Sequence, residues 1–95
     1  MATTELFVWD ERKRVANLRK HGVDFAIAEL FDFAAAATII DDRRDYGEVR
    51  YRAFGVAAGR FYVIVFTRRG EHIRIISARK ANAREIKRHG PDQKT

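Results

Sequence analysis

The sequence predicts an α+β domain in which an antiparallel β-meander carries two N-terminal helices and one C-terminal helix, in the order β-α-α-β-β-β-β-α. Three observations lead there. Val49 to Val56, Phe61 to Thr67 and His72 to Arg79 are strand-like runs, rich in β-branched and aromatic residues and separated by short glycine-containing breaks, Ala57 to Arg60 and Arg68 to Glu71. Breaks so short join antiparallel neighbours, because a parallel crossover needs a dozen or more residues. The middle run is apolar on both sides, with Phe61, Val63 and Val65 opposing Tyr62, Ile64 and Phe66, so it belongs in the centre of the sheet with cover on each face.

In chain order, Leu6 to Trp9 is a bulky run cut off by Asp10 and reads as a first short strand. Asp10 suits a helix N-cap and Gly22 a left-handed C-cap, which bounds a helix from Glu11 to His21. Its apolar stripe, Val15 and Leu18 with Ala16, is narrow; Lys13, Asn17 and His21 recur at spacing four on another face, as a site wall or as a solvated surface. Asp24 caps a second helix starting at Phe25, with Ile27, Leu30 and Phe31 as its apolar face. The run Phe33 to Ile40 mixes four helix-favouring alanines with strand-favouring Thr38, Ile39 and Ile40, and a strand is expected over Ala37 to Asp41. Asp41 to Glu48 is a polar connection that turns at Gly47. Its acids are interleaved with Arg43 and Arg44, which offer them ion pairs, so it is not read as a metal site. In the last strand Ile73, Ile75, Ser77 and Arg79 share a face opposite Arg74, Ile76, Ala78 and Lys80. Asn82 and Glu85 have the spacing of a capping box, opening a short helix that Gly90 and Pro91 end; Asp92 to Thr95 reads as a loose tail.

The 95 residues make one domain, 1–95, and a composition of 46% hydrophobic and 34% charged residues supplies both a core and a soluble surface. The absence of cysteine excludes disulfides and thiolate metal sites. No secretory signal and no membrane-length apolar run is present, so a cytoplasmic place and no membrane partner are expected. With no Walker-type loop, no Gly-x-Gly-x-x-Gly run and no nucleophile elbow around Ser77, no cofactor is expected. Charge is the informative quantity. Arg68 to Arg88 holds eight Lys/Arg against two acids, a surplus equal to the whole net charge of +6. A positive field so local suits phosphate, RNA or an acidic protein partner.

Cations, a few acid/base groups and a sheet to hold them are the inventory of metal-independent RNA cleavage, in which the RNA's 2′-hydroxyl is the nucleophile. Arg79 and Lys80, at a strand end, are the leading candidates for phosphate contact in catalysis, followed by Arg68 and Arg74, with Arg84, Lys87 and Arg88 as RNA-binding residues of the last helix. Tyr46 and Glu48 are candidates for acid/base work, with His21 or His72 able to fill the same role. The other reading of Tyr46 and Glu48 is structural: the ring packs on the sheet and the carboxylate pairs with Arg50.

Four stretches together resemble the BrnT toxin family: Trp9-Asp10 followed by Lys13 and Asn17; Lys20-His21-Gly22-Val23-Asp24-Phe25; Asp42-Arg43 with Tyr46-Gly47-Glu48-Val49-Arg50; and Arg74-Ile75-Ile76-Ser77-Ala78-Arg79-Lys80-Ala81. The resemblance runs from Phe7 to Arg88, with the alanine run Ala34 to Ala37 standing where a more polar segment is expected. It implies a RelE-like ribonuclease toxin of a type II toxin-antitoxin system that inhibits translation and growth. It also implies neutralisation by a BrnA-type antitoxin, in a heterotetramer built through that antitoxin, which also binds DNA; the toxin reaches DNA only indirectly. The alternatives are a non-catalytic basic module that binds nucleic acid or an acidic protein, and a purely structural partner with the basic patch as its interface.

Overall fold

The computed structural model describes residues 6–90, so the first residues and the tail expected over Asp92 to Thr95 lie outside it. The elements are β1 (Phe7–Trp9), α1 (Glu11–His21), a 3-10 helix (Phe25–Glu29), β2 (Ala37–Ile40), β3 (Tyr51–Ala57), β4 (Arg60–Arg69), β5 (His72–Lys80) and α2 (Ala83–His89). They form an α+β domain around one five-stranded sheet of order β1-β5-β4-β3-β2. As its two apolar faces require, β4 is the central strand. Two-residue turns make both of its hairpins, Ala57 pairing with Arg60 and Arg69 with His72. The first turn places Ala58 and Gly59 at φ of 49° and 76°, the double left-handed geometry that matches the twist of the flanking strands.

Three expectations are corrected. The sheet is mixed, not antiparallel, because β1 runs parallel to β5, with Phe7, Val8 and Trp9 beside Ile73, Arg74 and Ile75. Short breaks revealed only the sequential neighbours; this pairing joins segments more than sixty positions apart, and the intervening residues supply the long connection it needs. The second N-terminal helix is a single short 3-10 segment. Its buried residues are Phe25 and Ala28, followed by Phe31, a spacing of three that matches three residues per turn. Leu30, expected on the apolar face, is 63% exposed. In β5 the alternation breaks, since Val65 pairs with Ser77 and Phe66 with Ile75, leaving Ile76 as a bulge. Ala78 therefore joins Ile73 and Ile75 in the core, and Ser77 and Arg79 face the other way.

The core lies between one sheet face and the segment from α1 to Phe33. Phe33 is its hub, with ring centroids 5.5 Å from Phe7, 4.7 Å from Phe31 and 5.5 Å from Phe66. The alanine run continues from a turn, in which Asp32 Oδ1 accepts from the Ala35 amide at 3.1 Å, into β2.

Helix α1 has the predicted bounds: Asp10 accepts from the Arg12 amide at 2.8 Å, and Gly22 ends the helix at φ 71°. Its attachment is polar. Leu18 stays 40% exposed, and the buried residue of the helix is Asn17. The Asn17 amide nitrogen donates to Ala78 O at 2.8 Å and to Val23 O at 3.0 Å, while its oxygen accepts from the Ala78 amide at 3.2 Å. β1 covers the outer edge of β5 only as far as Ile75. Asn17 then takes over as a side-chain surrogate for the missing strand.

Replacing Asn17 with Ala leaves the buried Ala78 N–H and C=O without partners, at a cost of about 1–3 kcal/mol for each such group. The expected loss is about 3 kcal/mol in urea unfolding, with Asn17→Asp intermediate because a carboxylate still accepts from the Ala78 amide. A loss below about 0.5 kcal/mol would show that water satisfies this edge as well as the side chain does.

Candidate active site

The second sheet face carries the polar cluster. Strand pairing sets two rows across it, Ile39–Arg52–Val65–Ser77 and Ala37–Phe54–Val63–Arg79. Val63 and Val65 are buried and form the floor. Arg52 and Arg79 rise from adjacent rows on either side of β4, and Arg43 reaches in from the loop between β2 and β3.

Two carboxylates hold these three guanidinium groups. Asp41, its side chain only 1% exposed, accepts from Arg43 Nε at 2.6 Å and Nη2 at 2.7 Å, with Arg52 Nε 3.9 Å away. The Tyr46 hydroxyl donates to the same carboxylate at 3.3 Å. Glu85 grips Arg79 through two parallel bonds of 2.8 and 2.7 Å, and its Oε1 also accepts from the Asn82 amide at 2.9 Å. The capping box predicted from sequence is present, and the same carboxylate that closes it positions Arg79.

Hydrogen bonds from Arg79 hold Glu85 down to a pKa of about 2 against the effect of burial, and hydrogen bonds from Arg43 do the same for Asp41. Both are therefore anchors for cations and too weakly basic to take a proton from substrate. Arg52 also acts on Asp41, on Glu85 and on His89, which places it between the two anchors. Its Nε is buried without a hydrogen-bond partner. Three guanidinium groups to two carboxylates leave a positive surplus.

Beside the cluster opens a cleft of about 460 Å³ lined by Ile39, Arg52, Phe54, Arg84, Glu85, Arg88 and His89. The His89 ring lies flat on Phe54, with centroids 4.0 Å apart. Burial lowers the pKa of His89, and Arg88 lowers it further. A neutral imidazole at the wall of a cationic cleft is a proton acceptor at physiological pH.

The residues singled out from sequence divide in space. Arg79 is in the cluster, and Arg84 and Arg88 line the cleft. Lys87 is exposed on α2. Lys80 is exposed on the core side of the strand end, across from Tyr62. His21 is half-buried at the end of α1, its pKa lowered by burial and then by Lys20 and Arg79. Arg68 and Arg74 sit near the far end of the β4–β5 hairpin on opposite faces, opposite Ile73 and Thr67, and His72 is exposed at that turn. Tyr46 lies under the Arg50 guanidinium, 4.2 Å from the ring centroid. Glu48 faces Arg50 at 3.3 Å and Arg69 at 3.5 Å.

Sequence reasoning missed Arg43 and Arg52 as members of the cluster, Asp41 as an anchor, and His89. Arg52 had a signal: it alternates with Phe54 on one side of a strand whose other side carries Tyr51 and Ala53. His89 had another, four residues after Glu85 on one helix. Among the described residues no three His, Asp or Glu side chains gather as metal ligands would, and no helix is long and apolar enough to cross a membrane.

Fold and site together define a small α+β domain that gathers guanidinium groups on one sheet face, the arrangement of a protein that handles phosphate-rich polymers. The chain belongs to the family of BrnT ribonuclease toxins of type II toxin-antitoxin systems, whose model matches residues 9–85. It is similar to the Brucella abortus ribonuclease toxin BrnT, known from a crystal structure at 1.1 Å, with 31% identity, a TM-score of 0.64, and coverage of 83% of this chain and 99% of that one. Among curated proteins no match is found. Membership of a type II system implies an antitoxin partner.

The two anchors set an acid limit. Their free pKa values of 4.5 for Glu85 and 3.8 for Asp41 drop to about 2 in the folded protein, so the stability they contribute is present above about pH 4.5 and is lost as pH falls toward 2. Urea unfolding across that window is expected to show a shallower loss in Glu85→Gln than in the wild-type chain. Equal slopes would mean that Glu85 is not held as an anion by Arg79.

Proposed function

We propose that the protein is a metal-independent RNA endonuclease whose cutting of RNA stops translation and growth in the cytoplasm. The observation that carries this reading is the convergence of Arg43, Arg52 and Arg79 on a rigid sheet floor, beside a cleft that holds a neutral histidine. A phosphodiester in the cleft meets Arg52, Arg84 and Arg88, with Arg79 fixed behind them. The 2′-hydroxyl attacks the adjacent phosphorus and the bond to the 5′ oxygen breaks. His89 accepts the proton of the hydroxyl and returns one to the departing oxygen. The arginines stabilise the extra charge of the crowded phosphorus, a task for which placement fixed in advance matters most. Glu85 and Asp41 keep the guanidinium groups in place while nothing is bound.

The same reading groups the fold with RelE-like ribonucleases. It makes the antitoxin a BrnA-type protein whose acidic segment covers the arginine cleft, joined to the toxin in a heterotetramer built through the antitoxin, with DNA contacted only by that partner. Complementary charge favours such a contact and makes its association rate fall with salt.

Cleavage of purified RNA in chelator is expected to proceed unimpaired. Arg52→Ala and Arg79→Ala are expected to lower the rate by about ten- to a thousand-fold, and His89→Ala by about a hundred-fold or more. Activity lost in chelator and restored by magnesium, or variants that cleave at the wild-type rate, would overturn the mechanism.

A further inference from the structure

The loop between β2 and β3 builds a second cavity whose chemistry differs from that of the arginine cleft. Arg43, Arg44 and Tyr46 line an open hollow of about 320 Å³, within the size range of sites for small organic groups. Tyr46 is half-buried and fixed on two sides. Its hydroxyl donates to Asp41 Oδ2, the oxygen that also receives Arg43 Nη2 at 2.7 Å. One ring face is covered by the guanidinium of Arg50, which Glu48 holds in turn. A chain of contacts thus runs from Glu48 through Arg50, Tyr46 and Asp41 to Arg43, a member of the arginine cluster.

This is a costly way to hold a loop side chain, since ordering a tyrosine and two arginines at the surface sacrifices rotamer freedom for contacts of modest strength. The hydroxyl is engaged with a buried carboxylate, which argues against service as a proton donor to substrate. What remains available is the aromatic ring itself, rigidly oriented and bordered by cations.

We infer that Tyr46 is a stacking platform for a nucleobase of the RNA, with Arg43 and Arg44 taking the phosphates on either side of that base. The inference rests on RNA being the substrate of the neighbouring cleft and adds a second subsite to it. Every base has a π-face, so the platform tolerates any sequence and contributes affinity and register in place of base identity. Arg43 shares Asp41 with Arg52, which lines the cleft, so the stacked base is one close to the scissile phosphate.

The test uses a single-stranded 2′-O-methyl oligonucleotide, which carries bases and phosphates but cannot be cut by its own hydroxyls, with binding read by fluorescence anisotropy. Tyr46→Phe and Tyr46→Trp keep a ring and are expected to bind within about threefold of wild type, whereas Tyr46→Leu is expected to weaken binding by about five- to a hundred-fold. In Tyr46→Trp, binding is expected to quench fluorescence beyond the change seen in the wild-type chain, whose Trp9 supplies the background. This signal does not depend on Tyr46→Leu folding. Leu binding like wild type, Phe falling as far as Leu, or no added quenching would each overturn the platform. If the probe weakens with Arg52→Ala and not with Tyr46→Leu, only the platform is lost; if the wild-type chain does not bind it at all, the RNA-cleaving reading falls as well.

Discussion

The bidentate pairing of Asn17 with the backbone of Ala78 is the constraint on which the arrangement of the domain depends. β5 is flanked by β4 along its whole length but by β1 only over its first part, which leaves polar backbone groups facing a helix instead of a strand. A hydrophobic helix face would have stranded those groups. One carboxamide satisfies the donor and the acceptor of Ala78 together and accounts for a helix with so little apolar surface. Its second N–H goes to Val23 O, which fixes the turn leading into the 3-10 segment. Immediately after Ala78 comes Arg79, so the pairing that docks the helix also fixes the strand from which a cluster arginine projects.

On the far face the problem is like charge. Three guanidinium groups gathered over two valines would repel one another, and in the folded protein Arg43 does disfavour the charge on Arg79. Asp41 and Glu85 offset that repulsion, and their use is economical. Glu85 also caps α2, and Asp41 also receives the hydroxyl of Tyr46. Each carboxylate therefore holds a group of its own helix or loop as well as a cation. This couples the helix and the loop to the cluster, so that neither wall of the cleft moves without loosening an arginine.

Local signals were legible in the sequence and non-local ones were not. The bounds of α1, the capping box at Asn82 and Glu85 and the meander around β4 rest on residues a few positions apart, where capping chemistry and alternation act directly. The parallel partner of β1 depends on residues more than sixty positions away, and no short-range pattern encodes it. The 3-10 segment was misread because Ile27, Leu30 and Phe31 recur at helical spacing, whereas the side that is buried is Phe25, Ala28 and Phe31, a three-residue repeat. The bulge at Ile76 shifts one residue and reverses a face, which alternation alone does not reveal. For the site, concentration of charge pointed to Arg84 and Arg88, which line the cleft, and to Arg79, which Glu85 holds beside it. It also pointed to Arg68 and Arg74, which the hairpin sets apart on opposite faces. Arg52 joins Arg79 only across the width of β4, through a register the sequence does not display.

The pairing of β1 with β5 also governs the order in which the chain assembles. Two-residue hairpins let β3, β4 and β5 meet over short loops, whereas seating Phe7 beside Ile73 closes a loop of more than sixty residues and must follow. On the ribosome β5 and α2, which complete the cleft, emerge after the strands that form its floor. A growing chain therefore displays hydrophobic strands before it displays an arginine cleft, and a product that stops within β4 carries neither Arg79 nor the helix that anchors it. The topology thus delays the arginine cleft until the strands beneath it have paired.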